Sequence, residues 1–286
     1  MIKDLTVFEK VDTPAKAYLL GFIIADGNSD GKYKITIVSK DLEILHKCKK
    51  ILKCDNKISS QLKKNINETK AHKIYYLQIC SQKLVSDLRA FGIEPRKSWT
   101  STFPDIKEEY YSHFLRGLFD GDGSICFLKK NNSPRFSIIG SENLIKVVQK
   151  ILCNKCGVPE NKLSLCQEKN NNKIIKILYG GRFHIIKILD FLYSDSDNST
   201  RLNRKYMKYI KVKKIPIKEK RKDSVSKYIG VGFRGKNYKV KWAARLDQKK
   251  LGYFEKEIDA AICYNTECFK KYNDKNRLNV ISNRKH

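Results

Sequence analysis

A nine-residue apolar segment that ends in an acidic residue and a glycine occurs twice in the chain, as LLGFIIADG from residue 19 and LRGLFDGDG from residue 115. The pattern of the sequence after each copy repeats as well. Alternating stretches come first (32–39; 124–130 with 135–139), then helix-like segments (41–52; 142–152), strands (74–80; 174–179) and second helix-like segments (83–91; 183–193). Because a repeated supersecondary unit predicts repeated structure, we expect two αββαββα units, residues 1–105 and 106–212, in an α+β fold.

The remaining sequence has a different composition. Residues 213–226, KKIPIKEKRKDSVS, combine a dense charge run with little apolar content and indicate a basic linker. The segment 227–286 then contains three strand-like stretches and one helix-like run, at 228–234, 238–246, 249–254 and 255–272. We therefore expect a third, small domain at 227–286, made of a three-stranded sheet and one helix.

The charge of the chain points to a polyanionic partner. Lys and Arg number 59 against 30 Asp and Glu, a formal charge of +29 that is spread over the whole sequence. Because 41% of the residues are hydrophobic, the chain is predicted to fold rather than to remain a charged tail. A folded chain this basic is typical of a nucleic-acid-binding protein, and a membrane surface is the weaker alternative. No segment reaches the ~18 apolar residues of a spanning helix, and the start lacks the apolar core of a secretory signal.

The nine cysteines are scattered, odd in number and mostly inside apolar stretches. This usage favours reduced thiols in a cytosol- or organelle-like compartment over a secreted, disulfide-bonded protein. Cys153 and Cys156 form one CxxC with Cys166 nearby, but no second pair follows, so a zinc site is the weaker interpretation.

The two nonamers are predicted to be helices that pack against each other. Around the first copy, Thr13 is a candidate N-cap, Pro14 occupies the first helical position, and Gly27 is expected to provide a left-handed stop. Small residues recur four positions apart on one face of each helix, Gly21 with Ala25 and Gly117 with Gly121. Such a stripe lets two backbones approach closely, so we expect a tight, parallel helix pair.

The acidic residues of the nonamers, Asp26 and Asp122, lie in the last helical turn, where the helix dipole disfavours a carboxylate. In a parallel pair the two C-termini meet, and the crowded carboxylates then require a raised pKa or a cation. A divalent ion held by both carboxylates and by the carbonyls of Ala25 and Gly121 answers both problems. Oxygen ligands favour Mg²⁺, with Mn²⁺ as a substitute, and in a chain of this charge such ions suit phosphodiester hydrolysis. A purely structural aspartate at each helix end is the alternative interpretation.

The two nonamers and the pattern around them resemble the single-chain LAGLIDADG homing endonucleases over about residues 10–212. Carried over position by position, the eighth residue of each nonamer is the metal-binding acid of that family, here Asp26 and Asp122. The sixth residue is often acidic too, and Asp120 keeps that feature whereas Ile24 departs from it. The resemblance implies a monomer in which two pseudo-symmetric sheets form a DNA-binding saddle.

The same resemblance implies two catalytic lysines. The segments GIEPRKSW and RLNRKY would place Lys97 and Lys205 near the scissile phosphates, where an ammonium stabilises charge or orients water. Since the chain carries 59 basic residues, ordinary surface lysines are the alternative interpretation.

Alternation in the strands separates an apolar face from a polar one. The apolar face is predicted to comprise Tyr33, Ile35, Ile37, Phe136 and Ile138. The polar face comprises the candidate DNA-binding residues Lys32, Lys34, Thr36, Arg135 and Ser137. The residues alone describe a half-solvated sheet, whereas the resemblance makes this face the saddle that reads bases in the major groove.

The stretch 238–246 alternates more clearly. Its apolar face is predicted to comprise Tyr238, Val240, Trp242, Ala244 and Leu246, covered by a helix face with Ala260, Ala261, Tyr264 and Cys268. Its other face carries Lys239, Lys241, Ala243 and Arg245. The strings YIGV, WAARL, LGYF, AAICYN and RLN resemble the Apetala/ethylene-response-factor DNA-binding domain over residues 227–279. That resemblance implies major-groove contacts from the basic strand face, with the candidates Arg234, Lys239, Lys241 and Arg245.

The favoured hypothesis is a metal-dependent, site-specific double-strand DNA homing endonuclease that acts at a long asymmetric site. The alternative is a non-cleaving DNA-binding regulator or an intron RNA maturase, with double-stranded DNA or host intron RNA as the partner. An intein nuclease is disfavoured, because the sequence opens with Met and ends NRKH without splice-junction chemistry.

Overall fold

The computed structural model describes the chain except for residues 1–3, 5, 65–70, 96, 130–131, 216–224, 236, 248, 274–276 and 282–286. The chain divides into two compact units, Met1–Ile215 and Pro216–His286, which are described separately below. No described helix is both long enough and apolar enough to cross a membrane.

The first unit contains the predicted repeat twice. The first half comprises α1 (Pro14–Asp26), β1 (Gly27–Ser29), β2 (Lys34–Ser39), α2 (Leu42–Ile51), β3 (Ile58–Lys63), β4 (His72–Cys80) and α3 (Gln82–Ala90). The second comprises α4 (Tyr111–Asp122), β5 (Gly123–Phe127), β6 (Pro134–Ser141), α5 (Glu142–Cys156), β7 (Ser164–Lys169), β8 (Asn172–Gly180) and α6 (Arg182–Tyr193). The two antiparallel sheets have the equivalent orders β1-β2-β4-β3 and β5-β6-β8-β7, which confirms the prediction of two αββαββα units.

Helix α1 is the centre of this unit. All residues from Ala17 to Ile24 are buried, as expected for a helix that is apolar on every side. The Thr13 hydroxyl accepts a hydrogen bond from the backbone N–H of Lys16 and Pro14 begins the helix, so the predicted N-terminal cap is present. Each sheet buries one face against the core and leaves the other open. Ile35, Ile37, Phe136 and Ile138 are buried, whereas Lys34, Thr36, Arg135 and Ser137 lie on the open faces.

Strand β2 begins two residues later than predicted. Lys32 and Tyr33 lie in the bend between β1 and β2, and the side chain of Tyr33 is 49% exposed instead of facing the core. The reason is local, because the Asp30 carboxylate accepts hydrogen bonds from the backbone N–H groups of Lys32, Tyr33 and Lys34 and thereby closes a turn.

Gly27 is not the left-handed stop that the sequence suggested. Its φ of −90° is extended, because the chain continues from α1 directly into β1 without reversing. Glycine is needed there for space, since a Cβ would lie 2.5 Å from the carbonyl oxygen of Ile23.

A further helix, α7 (Asn203–Lys214), follows the second repeat and was not predicted. It buries Tyr209 and Val212 on one side, and it extends two residues into the segment interpreted as a linker at 213–226. Most of that segment, 216–224, lies outside the described residues.

The second unit is a three-stranded antiparallel sheet with one helix, as predicted. It comprises β9 (Val231–Phe233), β10 (Trp242–Leu246), β11 (Lys249–Phe254) and α8 (Glu257–Tyr272), in the sheet order β11-β10-β9. The predicted helix face is buried, with Ala260, Ala261, Tyr264 and Cys268. Trp242 packs against this core, in agreement with its predicted role.

The prediction that residues 238–241 belong to the middle strand is wrong. They form the connection between β9 and β10, in which Gly235 takes a φ of +123°, so Tyr238 is largely exposed and Lys239 and Lys241 do not extend a strand face. Ala243 was expected on the open face but is buried, since it pairs with Tyr253 of β11 and Gly232 of β9.

Candidate active site

The site is built on the contact between α1 and α4, whose backbones touch. A Cβ at Gly21 would lie 2.0 Å from the carbonyl oxygen of Phe114, and one at Gly117 would lie 1.9 Å from that of Tyr18. Further along, a Cβ at Gly121 would lie 2.2 Å from the Cβ of Ala25. From the crossing at Gly21 and Gly117 to the contact of Ala25 with Gly121, both helices advance by four residues, so the helices are parallel and their C-termini end together.

This parallel packing brings Asp26 and Asp122 to one place. The backbone position of Gly121 lies so close that a Cβ there would be 3.5 Å from an Asp26 carboxylate oxygen. Burial and then the charge of Asp122 raise the pKa of Asp26 to about 7. Burial also raises the pKa of Asp122, although part of its side chain stays accessible to solvent. A cation that enters from the solvent would stabilise the ionised form of both carboxylates, so the pair is suited to cation binding.

A buried lysine accompanies each acid. Lys97, only 3% exposed, donates from Nζ to the carbonyl oxygen of Ile24 at 2.6 Å. Lys205, 2% exposed, donates to the carbonyl oxygens of Phe119 at 2.5 Å, Asp120 at 2.8 Å and Gly123 at 2.6 Å. Burial lowers the pKa of both ammonium groups to about 8, and the nearby charges of Asp26 and Asp122 oppose that shift. The lysines therefore satisfy carbonyls at the negative ends of α1 and α4 and reduce the repulsion between the acids.

Asp120, the other acid of the second nonamer, has a different environment. It is 1% exposed and accepts hydrogen bonds from the hydroxyls of Tyr18 at 2.8 Å and Tyr193 at 2.7 Å. It also accepts one from the backbone N–H of Leu202 at 2.7 Å, where α7 begins. Its carboxylate is thus occupied in fixing the start of the helix that carries Lys205. Ile24, at the equivalent position, makes no such connection in the first half.

The residues present fit a divalent cation. Among the described residues, no hydrogen bond to the carboxylate of Asp26 or Asp122 is found, so these oxygens are available. Ala25 and Gly121, predicted to offer carbonyl ligands, meet at the same helix ends. No group of three His, Cys, Asp or Glu side chains occurs among the described residues, so an ion here would complete its shell with carbonyls, water or phosphate. That is the usual arrangement for Mg²⁺.

A cavity of about 230 Å³ opens beside this site. Trp99 and Ser98 line it from the turn that carries Lys97, and Gln167 lines it from β7. None of these three side chains was singled out from the sequence, because their relation to Asp122 depends on a sheet register that the sequence pattern does not specify.

Four of the five DNA-binding positions predicted for the first unit lie on the open sheet faces. Lys34 and Thr36 of β2 and Arg135 and Ser137 of β6 are there, while Lys32 is exposed in the preceding bend. The open face also includes positions that the sequence analysis missed. Gln78 of β4 pairs with Thr36, and β3 and β7 are exposed along most of their length.

In the second unit Arg234 contacts two tyrosines, and the other candidate basic residues are exposed. The Arg234 guanidinium lies 4.2 Å from the ring centroid of Tyr238 and 3.9 Å from that of Tyr253, close enough for cation–π contacts. Arg245 is exposed and pairs across the ladder with Lys250. Lys239 and Lys241 are exposed in the β9–β10 connection.

Known proteins resemble this chain in part. Residues 13–91 match the family model described as a LAGLIDADG-like domain. A DNA polymerase of Acanthamoeba polyphaga mimivirus is 28% identical over an alignment of 122 residues, which covers 38% of this chain and only 7% of that protein. Among solved structures, the LAGLIDADG homing endonuclease I-GzeII in complex with its DNA target is similar to this chain. The alignment covers 71% of this chain and 89% of the I-GzeII chain, with 12% identity and a TM-score of 0.46. The alignment with the N-terminal LAGLIDADG domain of DUF199/WhiA covers 68% of this chain and 89% of that domain's chain, with 16% identity and a TM-score of 0.42.

Proposed function

We propose that this chain is a LAGLIDADG endonuclease that makes metal-dependent double-strand breaks in DNA at a long, asymmetric site. The observation that carries the proposal is the meeting of Asp26 and Asp122 at the joined ends of α1 and α4, with a buried lysine beside each acid. The family-model match over residues 13–91, which contains the first nonamer, supports the same conclusion.

The four side chains have distinct roles in this proposal. Asp26 and Asp122 hold Mg²⁺ or Mn²⁺, with help from the carbonyls of Ala25 and Gly121. When bound, such an ion activates water and stabilises the leaving oxygen of a phosphodiester. Lys97 and Lys205 keep the helix ends and their acids in place, and their ammonium groups stabilise negative charge that develops on the phosphate.

The open sheet faces supply the DNA-binding surface of the proposal. The lysine, arginine and hydroxyl side chains along β2 and β6 offer donors to base edges and phosphates. The two halves share a fold but carry different side chains on these faces, so the preferred target has two unlike half-sites. We assign to the second unit an additional, Apetala/ethylene-response-factor-like DNA contact through Arg234, Lys239, Lys241 and Arg245. A break at one such site suits the mobility of an intron.

Cleavage of a library of random DNA duplexes in Mg²⁺ tests the proposal and recovers the target at the same time. The wild-type chain should cut a small subset of the library, and the cut should disappear with EDTA. Asp26→Asn and Asp122→Asn should each abolish cleavage while DNA affinity stays within about tenfold, since the carboxylates serve the metal rather than docking. Asp105→Asn, an exposed aspartate that lies outside both nonamers and outside the described helices and strands, is the matched control and should cut normally.

Two outcomes would decide for the alternatives. Cutting by either nonamer variant at the wild-type rate would contradict the two-acid site. Binding without cleavage in both Mg²⁺ and Mn²⁺ would indicate a regulator, and in that case promotion of host-intron splicing would identify a maturase.

A further inference from the structure

Helix α7 is an addition to the repeated unit, and it begins at the candidate site. Among the described residues, the first half has only the short 3₁₀ turn Lys97–Trp99 where the second half continues into α7. The sequence of α7, NRKYMKYIKVKK, contains six basic residues and no acidic one.

Three lysines of α7 contact alternate residues along strand β5. Lys205 Nζ donates to the carbonyl oxygen of Gly123, and Lys208 Nζ donates to that of Ile125 at 2.8 Å. The Lys211 ammonium then lies 4.4 Å from the ring centroid of Phe127. Because Gly123, Ile125 and Phe127 are successive residues on one side of β5, α7 runs alongside this edge strand and away from the two acids.

Four basic residues that recur every three or four positions along α7 form a basic ridge, defined as Arg204, Lys208, Lys211 and Lys214. Arg204, Lys211 and Lys214 are exposed, and Lys208 is half-buried. Arg204 forms an ion pair with Asp41, but within the described chain the three lysines have no acidic partner. Lys213, on the other side of the helix, lies 3.8 Å from Asp190 and is the exception that has one.

We propose that the basic ridge binds the DNA phosphate backbone on one side of the cleavage position. The ten helical steps from Arg204 to Lys214 extend about 15 Å along the helix axis. Phosphates of one strand follow each other every ~3.4 Å along the duplex, so the ridge spans about four of them. Since α7 belongs to the second half alone, its contacts are one-sided, unlike those of the two sheets. The inference rests on the proposed function in one respect. The ridge is placed next to the cut because it begins beside Asp26 and Asp122, the acids proposed to bind the metal.

The salt dependence of binding to a random-sequence 40-base-pair duplex, in EDTA, tests the ridge without any need for cleavage. The full chain with Lys211→Gln and Lys214→Gln should lose about 1.8 from the slope of log affinity against log salt, 0.9 for each phosphate contact. Between 50 and 150 mM salt, the affinity of this variant should therefore fall about sevenfold less than that of the wild type.

The matched control is Lys146→Gln with Lys150→Gln, which removes two exposed charges from α5, a helix packed on the core side of its sheet. It should keep the wild-type slope. Lys211→Arg with Lys214→Arg should keep it too, since the charge is retained. Equal losses in the α5 and α7 glutamine variants would overturn the inference, because the effect would then be one of net charge, and so would an unchanged slope in the α7 variant.

A footprint on a duplex that the protein cuts tests the one-sided placement. The α7 glutamine variant should lose phosphate protection on one side of the cut only, and loss on both sides would contradict the inference. If the chain cuts no duplex, the proposed function fails, while the salt slopes still decide whether the ridge binds phosphate.

Discussion

Asp26 and Asp122 occupy positions that cost folding free energy when no cation is present. Both lie at the negative ends of helices, both lose water on burial, and Asp26 also meets the charge of Asp122. Lys97 and Lys205 offset this only in part, because burial weakens their own charged forms. A strained pair of acids kept in place by buried lysines is typical of a functional site rather than of a stabilising ion-pair network.

Removing one acid should therefore stabilise the metal-free protein at high pH. The pKa of Asp26 is raised from 3.8 to about 7, so the folded state holds its proton more tightly than the unfolded chain. Stability is then lost as the pH rises from about 4 to about 7. In EDTA, Asp26→Asn should raise the free energy of unfolding by roughly 1–3 kcal/mol at pH 8, below the full shift because the side chain is partly solvated. Urea unfolding at pH 5 should show only about a third of that gain, since pH 5 lies within the window between the two pKa values, and Asp105→Asn should show none at either pH. A gain of equal size at pH 5 and pH 8 would contradict this account of Asp26.

The two lysines should differ in structural importance. Lys205→Met removes a donor from three carbonyl oxygens at the end of α4, although that of Phe119 still accepts from the backbone N–H of Gly123. Lys97→Met removes a donor from one carbonyl oxygen at the end of α1. We expect a loss of about 2–3 kcal/mol in unfolding free energy for Lys205→Met and about 1 kcal/mol for Lys97→Met. Each variant is the control for the other in urea unfolding, and both should cut DNA more slowly. Equal destabilisation would mean that the number of carbonyl contacts does not determine the cost.

At the level of elements, periodicity predicted most of the first unit. The apolar-polar alternation of β2 and β6 and the 3.6-residue period of α2 and α5 are local, so the sequence displays them directly. The errors have local causes that periodicity does not capture. Asp30 closes a turn before β2. At position 27 a glycine is needed because there is no room for a Cβ, and its backbone is not left-handed. Helix α7 was missed because its apolar residues are interleaved with lysines over only three turns.

The candidate site was predictable to a lesser degree. The two acids could be paired because the repeat implies that equivalent helix ends meet. The family resemblance alone implied a catalytic position for Lys97 and Lys205, and their contacts with the carbonyls at the helix ends were not predicted, because nothing in their spacing reports which carbonyls they bind. The hydrogen bonds of Asp120 join residues 73 to 102 positions away in sequence, so only the fold reveals that this acid serves α7.

The closeness of α1 and α4 gives a prediction for the helix pair. A Cβ at Gly117 would lie 1.9 Å from the backbone carbonyl oxygen of Tyr18, which no side-chain rotation can relieve. Gly117→Ala should force the helices apart, lower the free energy of unfolding by more than about 3 kcal/mol and impair cleavage. Gly180→Ala, where a Cβ meets nothing within 4 Å, is the control and should remain close to wild type in thermal unfolding. A stable, active Gly117→Ala protein would mean that the two backbones do not touch.

For the whole molecule, the first unit holds the complete candidate site. Both acids, both lysines and α7 belong to Met1–Ile215, and the second unit has its own small core around Tyr228, Ala244 and Ala260. From a change in repeat pattern and composition, the sequence predicts a separate C-terminal domain at 227–286 after a linker at 213–226. The charge of +29 is likewise shared between the units, which is the basis for assigning DNA contacts to both.

A chain truncated after Ile215 should fold and cut DNA, but with weaker binding and a shallower salt dependence. It retains both sheets, both acids and all of α7, whereas it loses the basic residues around Tyr238 and Tyr253. Each phosphate contact that is lost with the second unit should reduce the slope of log affinity against log salt by about 0.9. Arg245→Gln with Lys250→Gln in the full chain is the smaller, matched change and should reproduce part of the loss without removing the fold of the second unit. A truncated chain with the wild-type salt slope would show that residues 216–286 do not bind DNA, and the basic side chains of the second unit would then be a solvated surface whose charge serves solubility alone.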